Sequence, residues 1–336
     1  MIDEIIKVAE AELPVNEELI IQKHRLSGTA DTSKRICIVT GIHGDELEGQ
    51  FVAYELSRRI KESPEYLKGT VDIYPAMNPF GIDSITRGIP AFDLDMNRIF
   101  PGNRQGDMNE YLASEIIEDM RGASLCLDIH ASNIFLTEVP QIRINELHKE
   151  TLVPLAMNSN VDFIWVHGAS TVLESTFAYS LNIIGVSTLV VEMGVGMRIT
   201  REYGNQMVDG ILALMSRMGI WSGPVSEVRN PVISYDIDGM DVFYLNARVS
   251  GVFIKEKEHG ELVSEGDLIG RIVNPLTGKL LSYITAPADG WLFTIREYPM
   301  VEEGSLMGRI LKKEVYERCR NSNCSESMQF TGMISR

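Results

Sequence analysis

The segment TGIHGDELEGQ at 40–50 places His43 and Glu46 three residues apart where a loop enters a helix. At that spacing an imidazole and a carboxylate can grip one metal ion from the same side. Alone the tetrapeptide is weak, because a loop histidine beside a helix-start glutamate is common. LCLDIHAS at 125–132 adds a third ligand, His130, at the C-terminal end of an apolar strand, the end at which open α/β sheets carry their sites. Two histidines and one carboxylate leave a position open for water, which suits catalytic rather than structural zinc. Asp128, two residues earlier, either orients a ligand or caps a neighbouring turn. STLVVEMG ends another apolar strand with Glu192, where a carboxylate is costly unless it reaches a cleft or a partner. Its position relative to the other three favours a general base over a salt-bridged strand end.

A long stretch punctuated by Gly and Pro, NPFGIDSITRGIPAFDLDMNRIFPG at 78–102, carries Asn78, Arg87, Asn97 and Arg98. Long ordered loops tend to be functional. Guanidinium groups can bind a carboxylate bidentately or polarise a carbonyl, so Arg98 with Asn97, and Arg87, are candidates for substrate anchoring. The competing reading pairs these arginines with Asp83, Asp93 or Asp95 on the surface.

The elements that must position these residues are short β-branched runs alternating with helical patterns between Arg35 and Gly219. ICIVT (36–40), VDIYPA (71–76), SLCLDIH (124–130), DFIWV (162–166) and STLVVEM (187–193) read as strands. Leu47, Phe51, Val52, Leu56 and Ile60, then Leu112, Ile116, Ile117 and Met120, then Met207, Ile211, Leu212, Met215 and Met218, recur at helical spacing. This predicts an α/β fold with a mixed, mostly parallel sheet flanked by helices. WSGPVSEVRNP at 221–231 breaks the pattern, giving a first domain over 1–222. Beyond it, SGVF followed by LVSEGDLIGRI is echoed by DGWL followed by MVEEGSLMGRI, with Gly251, Gly266 and Gly270 recurring as Gly290, Gly304 and Gly308. Two similar short-stranded halves predict a small all-β barrel-sandwich domain over 223–312. Residues 313–336 show little periodicity and read as a poorly ordered extension.

Composition limits the partners. The net charge of −16, from 31 basic and 47 acidic residues, repels polyanions and argues against nucleic acid. No run is apolar and long enough to span a bilayer, and MIDEIIKVAEAELP has neither the basic nor the apolar part of an export signal. With four scattered cysteines read as reduced thiols, the chain is expected to be cytoplasmic, and a homo-oligomer stays compatible with it. His24, His148, His167 and His259 lack partners at ligand spacing and read as surface or satisfied core residues.

Taken in order, GIHGDELEG, NPFGI, DLDMNRIFPG, LDIHAS and VVEMG resemble the succinylglutamate desuccinylase/aspartoacylase family, within the zinc carboxypeptidase-like folds. The similarity spans roughly residues 35–220. It implies one Zn2+ on His43, Glu46 and His130, catalytic Glu192, and substrate-binding Asn97, Arg98 and Arg87. It also implies hydrolysis of a small N-acyl amino acid, with zinc and Arg98 stabilising the oxyanion. A biotinyl/lipoyl-like second domain would narrow the cleft and could offer Tyr298 or Tyr283 to the substrate. Members acting on acylated aspartate carry an extra arginine shortly before the catalytic glutamate, where this chain has SLNIIG at 180–185. Arg143, Arg198 and Arg201 could substitute, although each reads first as a surface charge. A metallocarboxypeptidase acting on short peptides and a non-catalytic zinc or metabolite-binding protein are the alternatives.

Overall fold

A computed structural model describes residues 1–30, 33–171 and 173–321. The apolar runs between Arg35 and Gly194 form its centre. Strands β1 (Ile2–Leu13), β2 (Glu17–Ser27), β3 (Arg35–Thr40), β4 (Thr70–Tyr74), β5 (Leu125–His130), β6 (Leu136–Asn145), β7 (Phe163–His167), β8 (Thr188–Gly194) and β9 (Val232–Asp236) all join one thirteen-stranded sheet. Its middle runs β2-β4-β3-β5-β8-β6, with β4, β3, β5 and β8 parallel and β6 antiparallel to β8.

Helices α1 (Glu48–Glu62), α2 (Pro79–Ser84), α3 (Met108–Met120), α4 (Lys149–Ala156), α5 (Phe177–Ile183) and α6 (Arg201–Arg217) flank it. Alternation along the strands divides the core in two. Leu125, Leu127 and Ile129 pack with α1, α4 and α6, through residues such as Val52, Leu152 and Ile211. On the other face, Cys37, Val39 and Cys126 pack with α3, α5 and the β1–β2 hairpin, through residues such as Ile116, Phe177 and Ile21. Cys37 and Cys126 are buried free thiols. The start of α3 is fixed by Asp107, whose carboxylate accepts from Asn109 N and Glu110 N while Glu110 returns a bond to Asp107 N.

The C-terminal strands are β10 (Val242–Asn246), β11 (Gly251–Lys255), β12 (Leu262–Val263), β13 (Leu268–Asn274), β14 (Lys279–Thr285), β15 (Gly290–Arg296), β16 (Met300–Val301) and β17 (Leu306–Lys312). They form a sandwich whose interior holds Phe253, Ile269, Ile272, Leu292, Ile295 and Ile310. The repeat is visible as an exchange: β12 of the first half pairs with β15 of the second, and β16 of the second pairs with β11 of the first. The equivalent turns place Gly266 and Gly304 at φ +85° and +88°, where a side chain would be strained.

The two parts share hydrogen bonds. β9 lies beside β7, and β15 pairs with Leu136–Glu138 of β6, so half of the sandwich continues the main sheet. Strand β6 forks, its first residues bonding to β15 and Gln141–Asn145 bonding to β7. Phe163, Trp165, Trp291 and Phe293 fill the junction. The expected poorly ordered extension begins instead with helix α7 (Lys313–Asn321), because Val315, Tyr316 and Cys319 have an apolar surface to cover there. Cys324 and the rest of 322–336 lie outside the described residues. Among the described residues no helix is long and apolar enough to cross a membrane.

Candidate active site

The C-terminal ends of β3, β5 and β8 converge on one cleft. His43 and Glu46 lie on the turn between β3 and α1, tightened where Glu46 N donates to His43 O over 3.3 Å. His130 is the last residue of β5 and is the register partner of Glu192 on β8, so parallel pairing sets both side chains on one face. Just beyond, Gly194 has φ +63°, and a Cβ there would meet the Glu48 carboxylate 2.0 Å away. Glu48 accepts from Thr200 N and Thr200 Oγ1 at 2.7 Å each, tying the segment after Glu192 to the start of α1.

His43, Glu46 and His130 are buried, and a ligand atom of each lies within 4.8 Å of the others. Glu46 Oε1 is 2.9 Å from His43 Nδ1, and Glu46 Oε2 is 2.9 Å from His130 Nδ1. The two Nδ1 atoms face each other across 3.2 Å. Two imidazole lone pairs and a carboxylate directed at one buried point fit a divalent cation of the transition series. The far ring nitrogens also meet carboxylates: His43 Nε2 is 3.1 Å from Asp95 Oδ1, and His130 Nε2 lies 3.1 Å from Asp128 Oδ2 without hydrogen-bond alignment. Such carboxylates hold ligating imidazoles in one orientation. Burial opposes ionisation of Glu46, but the two histidines outweigh it and hold the carboxyl far below its usual range.

The cleft encloses about 230 Å³. Arg87, Asn97, Arg98, Asn133, Glu192 and Arg309 are among its lining residues. Burial raises the pKa of the Glu192 carboxyl against the pull of Arg143 and His130. It forms an ion pair with Arg143 Nη1, 3.4 Å from Oε1. A carboxylate with raised basicity beside a candidate metal site has the chemistry of a proton acceptor and donor.

The catalytic-domain model of the succinylglutamate desuccinylase/aspartoacylase family matches residues 32–218. The chain belongs to this family. N-alpha-acetyl-L-2,4-diaminobutyric acid deacetylase of Halomonas elongata is 26% identical over 246 residues, covering 69% of this chain and 68% of that protein. The structure of a succinylglutamate desuccinylase/aspartoacylase from Rhodobacter sphaeroides superimposes with TM-score 0.76 at 23% identity, covering 92% of this chain and 95% of that one. The product-bound Ectoine utilization protein EutE (DoeB) of Ruegeria pomeroyi gives TM-score 0.78 at 19% identity, covering 92% and 94%. At these identities the likeness to solved structures is one of fold.

Within this family fold the sequence-derived candidates separate. His43, Glu46, His130, Glu192, Arg87, Asn97 and Arg98 meet in the cleft. Arg87 is held by Glu46 Oε1 at 2.9 Å and Asp95 Oδ2 at 3.3 Å, beside the candidate metal ligands. Asn97 Oδ1 accepts from Phe177 N at 2.8 Å. Arg98 donates to Asn97 O and is otherwise exposed. Asn78 is not among the lining residues, because its Oδ1 caps α2 by accepting from Gly81 N. Tyr298 packs edge-on against Phe135 and Tyr283 is exposed on β14, and neither lines the cleft. Arg198 and Arg201 are exposed.

Arg143, expected on the surface, instead lines the cleft, because β6 turns its Arg143 side chain to the face shared by Val190 and Glu192. Arg309 escapes sequence reasoning altogether. It sits in the Gly-Arg-Ile echo of the repeat, and only the closure of β17 against β15 brings it to the cleft. His24 pairs with Asp3, and His259 Nε2 lies 2.5 Å from the Tyr203 hydroxyl, so both have structural partners.

Proposed function

We propose that this family member is a zinc-dependent deacylase that hydrolyses the amide bond of a small N-acyl amino acid. The observation that carries this reading is the convergence of the His43, Glu46 and His130 ligand atoms beside Glu192 in one polar cleft. The deacetylase activity named for the Halomonas elongata relative supports the reaction class. When bound by the three ligands, zinc supplies Lewis-acid activation of water and of the acyl carbonyl.

The remaining work falls to side chains. Glu192 accepts a proton from the attacking water as its oxygen adds to the acyl carbon. It then delivers that proton to the amide nitrogen as the C–N bond breaks, giving a carboxylic acid and an amine, and the acid's remaining proton passes to the amine to leave a carboxylate and an ammonium ion. Arg98 is the candidate donor to the developing oxyanion, and Asn97, fixed by Phe177 N, holds the loop that presents it. Asp95 and Asp128 keep the imidazoles turned toward the metal. Arg309, reaching in from the C-terminal sandwich, walls the cleft, which supports a small substrate over a peptide. The buried free thiols of Cys37 and Cys126 support a cytoplasmic setting.

The test is metal analysis of protein purified without added metal, then amine release from N-acetyl and N-succinyl amino acids with and without a chelator. Near-stoichiometric zinc and chelator-sensitive release are expected. Metal-free protein that retains release would overturn the proposal. Glu192→Gln should keep its zinc and lose about 10²–10⁴-fold in kcat.

A further inference from the structure

Strand pairing lays one row of side chains across the face of the main sheet that carries the cleft. In register, His130 of β5 stands beside Glu192 of β8, Glu192 beside Gln141 of β6, Gln141 beside Phe163 of β7, and Phe163 beside Val232 of β9. Register partners in an antiparallel pair such as β6 and β8 share a face, with Cβ atoms about 4.5–5.5 Å apart. Gln141 therefore stands between the proposed base and an aromatic ring. It is fully buried, and neither its Oε1 nor its Nε2 has a hydrogen-bond partner among the described residues. Glu192 and Arg143 line the cleft and Gln141 does not, so the amide is out of a ligand's reach and its partner has to come from the protein.

A methionine would fill this place without the cost of burying an unmatched amide. The neighbours narrow what the amide serves. Phe163 and Val232 have apolar side chains, and Arg143, two residues along β6 on the same face, carries only donors. The Glu192 carboxyl is the polar group beside Gln141 in the row. Arg143 Nη1 approaches it only to 3.4 Å, longer than a close charge-assisted bond, which leaves room for a second partner.

The proton chemistry of Glu192 calls for both ends of an amide. A group that takes a proton and later gives it up is a carboxylate in one state and a carboxylic acid in the other. Arginine donates to the first and cannot accept from the second. A glutamine does both, Nε2 donating to the carboxylate and Oε1 accepting from the acid.

We propose that Gln141 is a positioning residue for Glu192, its amide holding the carboxyl across the β6–β8 pair in both protonation states. The proposal rests on the reading of Glu192 as the general base and gives Gln141 no contact with substrate or metal.

The first test needs no turnover. In a crystal structure of the wild-type protein with its metal, the Gln141 amide is expected within hydrogen-bond distance of the Glu192 carboxyl; an amide bonded elsewhere overturns the proposal. The second is a mutant cycle on the N-acyl amino acid that wild type turns over fastest. Gln141→Met keeps the volume without the amide, and should lower kcat about ten- to hundredfold with KM and metal content little changed. In the Glu192→Gln background the same substitution should change the residual kcat by less than about twofold, because the group it acts through is gone. Equal losses in both backgrounds would reduce Gln141 to a packing residue and overturn the proposal. Loss of activity in Glu192→Gln but not in Gln141→Met overturns it alone and leaves the general base standing. Full activity in Glu192→Gln, or no turnover of any acyl amino acid by wild type, sinks the underlying reading and the proposal with it. If Gln141→Met does not fold, the crystal structure decides.

Discussion

At the scale of single residues, the proposed metal site draws on carboxylates outside the ligand set, Asp95 beside His43 and Asp128 beside His130. Asp128 approaches the far side of His130, so Asp128→Asn should loosen the metal by about 10–100-fold, read by chelator competition, while the fold persists. Unaltered metal affinity would reduce Asp128 to a strand-end group. Glu192 gives a pH prediction with a definite sign. Only its ionised form accepts a proton, and burial raises its pKa above the ordinary 4.5. The acid limb of kcat/KM should therefore lie above pH 4.5 and vanish in Glu192→Gln; a limb below that value would contradict the assignment. His43, Glu46, His130 and Glu192 are legible in the sequence because each follows or ends an apolar strand, where a polar residue stands out. Arg143 and Arg309 are not, because a charge in an alternating strand reads as the solvent face until non-local pairing covers it.

At the scale of elements, the central strands and the helices α1, α3 and α6 are legible because apolar periodicity sets both. The N-terminal hairpin is not, since β1 is mostly exposed and lacks the apolar run that marks a buried strand. Besides its ladder with β4 and the apolar contacts of Leu19 and Ile21, the hairpin is tied down by an ionic cluster. Buried Lys23 of β2 lies 2.7 Å from Asp119 on α3 and 3.3 Å from Asp72 on β4, and Asp72 also pairs with Arg25 and Arg35. Burial disfavours the charge on Asp72, but its three cations hold its pKa below the usual carboxylate range. Such a group stabilises the fold above its unfolded pKa and loses that contribution as pH falls through the folded value. Asp72→Asn should cost about 3–5 kcal/mol, because it removes the buried carboxylate that Lys23, Arg25 and Arg35 share, and chemical denaturation would show it. A loss under about 1 kcal/mol would mean that Asp119 alone satisfies Lys23.

At the scale of the whole molecule, half of the C-terminal sandwich is part of the main sheet. The repeat makes the sandwich legible, but its fusion to β6 rests on pairing between residues far apart in sequence, which no local pattern encodes. Residues 1–222 alone would leave the β15 side of β6 unpaired and uncover Phe163 and Trp165, so the fragment should partition to the insoluble fraction. A soluble, monomeric, metal-binding fragment would show that the shared ladder is dispensable. Phe293→Ala, at a fully buried position in the junction, should cost about 3–5 kcal/mol in denaturant titrations. The forked strand also has a meaning in time. Glu138 waits 171 residues of synthesis for Arg309, so the nascent chain can assemble its metal ligands long before its cleft is walled. Closure over such a separation is slow relative to local structure, and among the described residues β17 is the strand that brings Arg309 to the cleft, after β15 has covered the edge of β6.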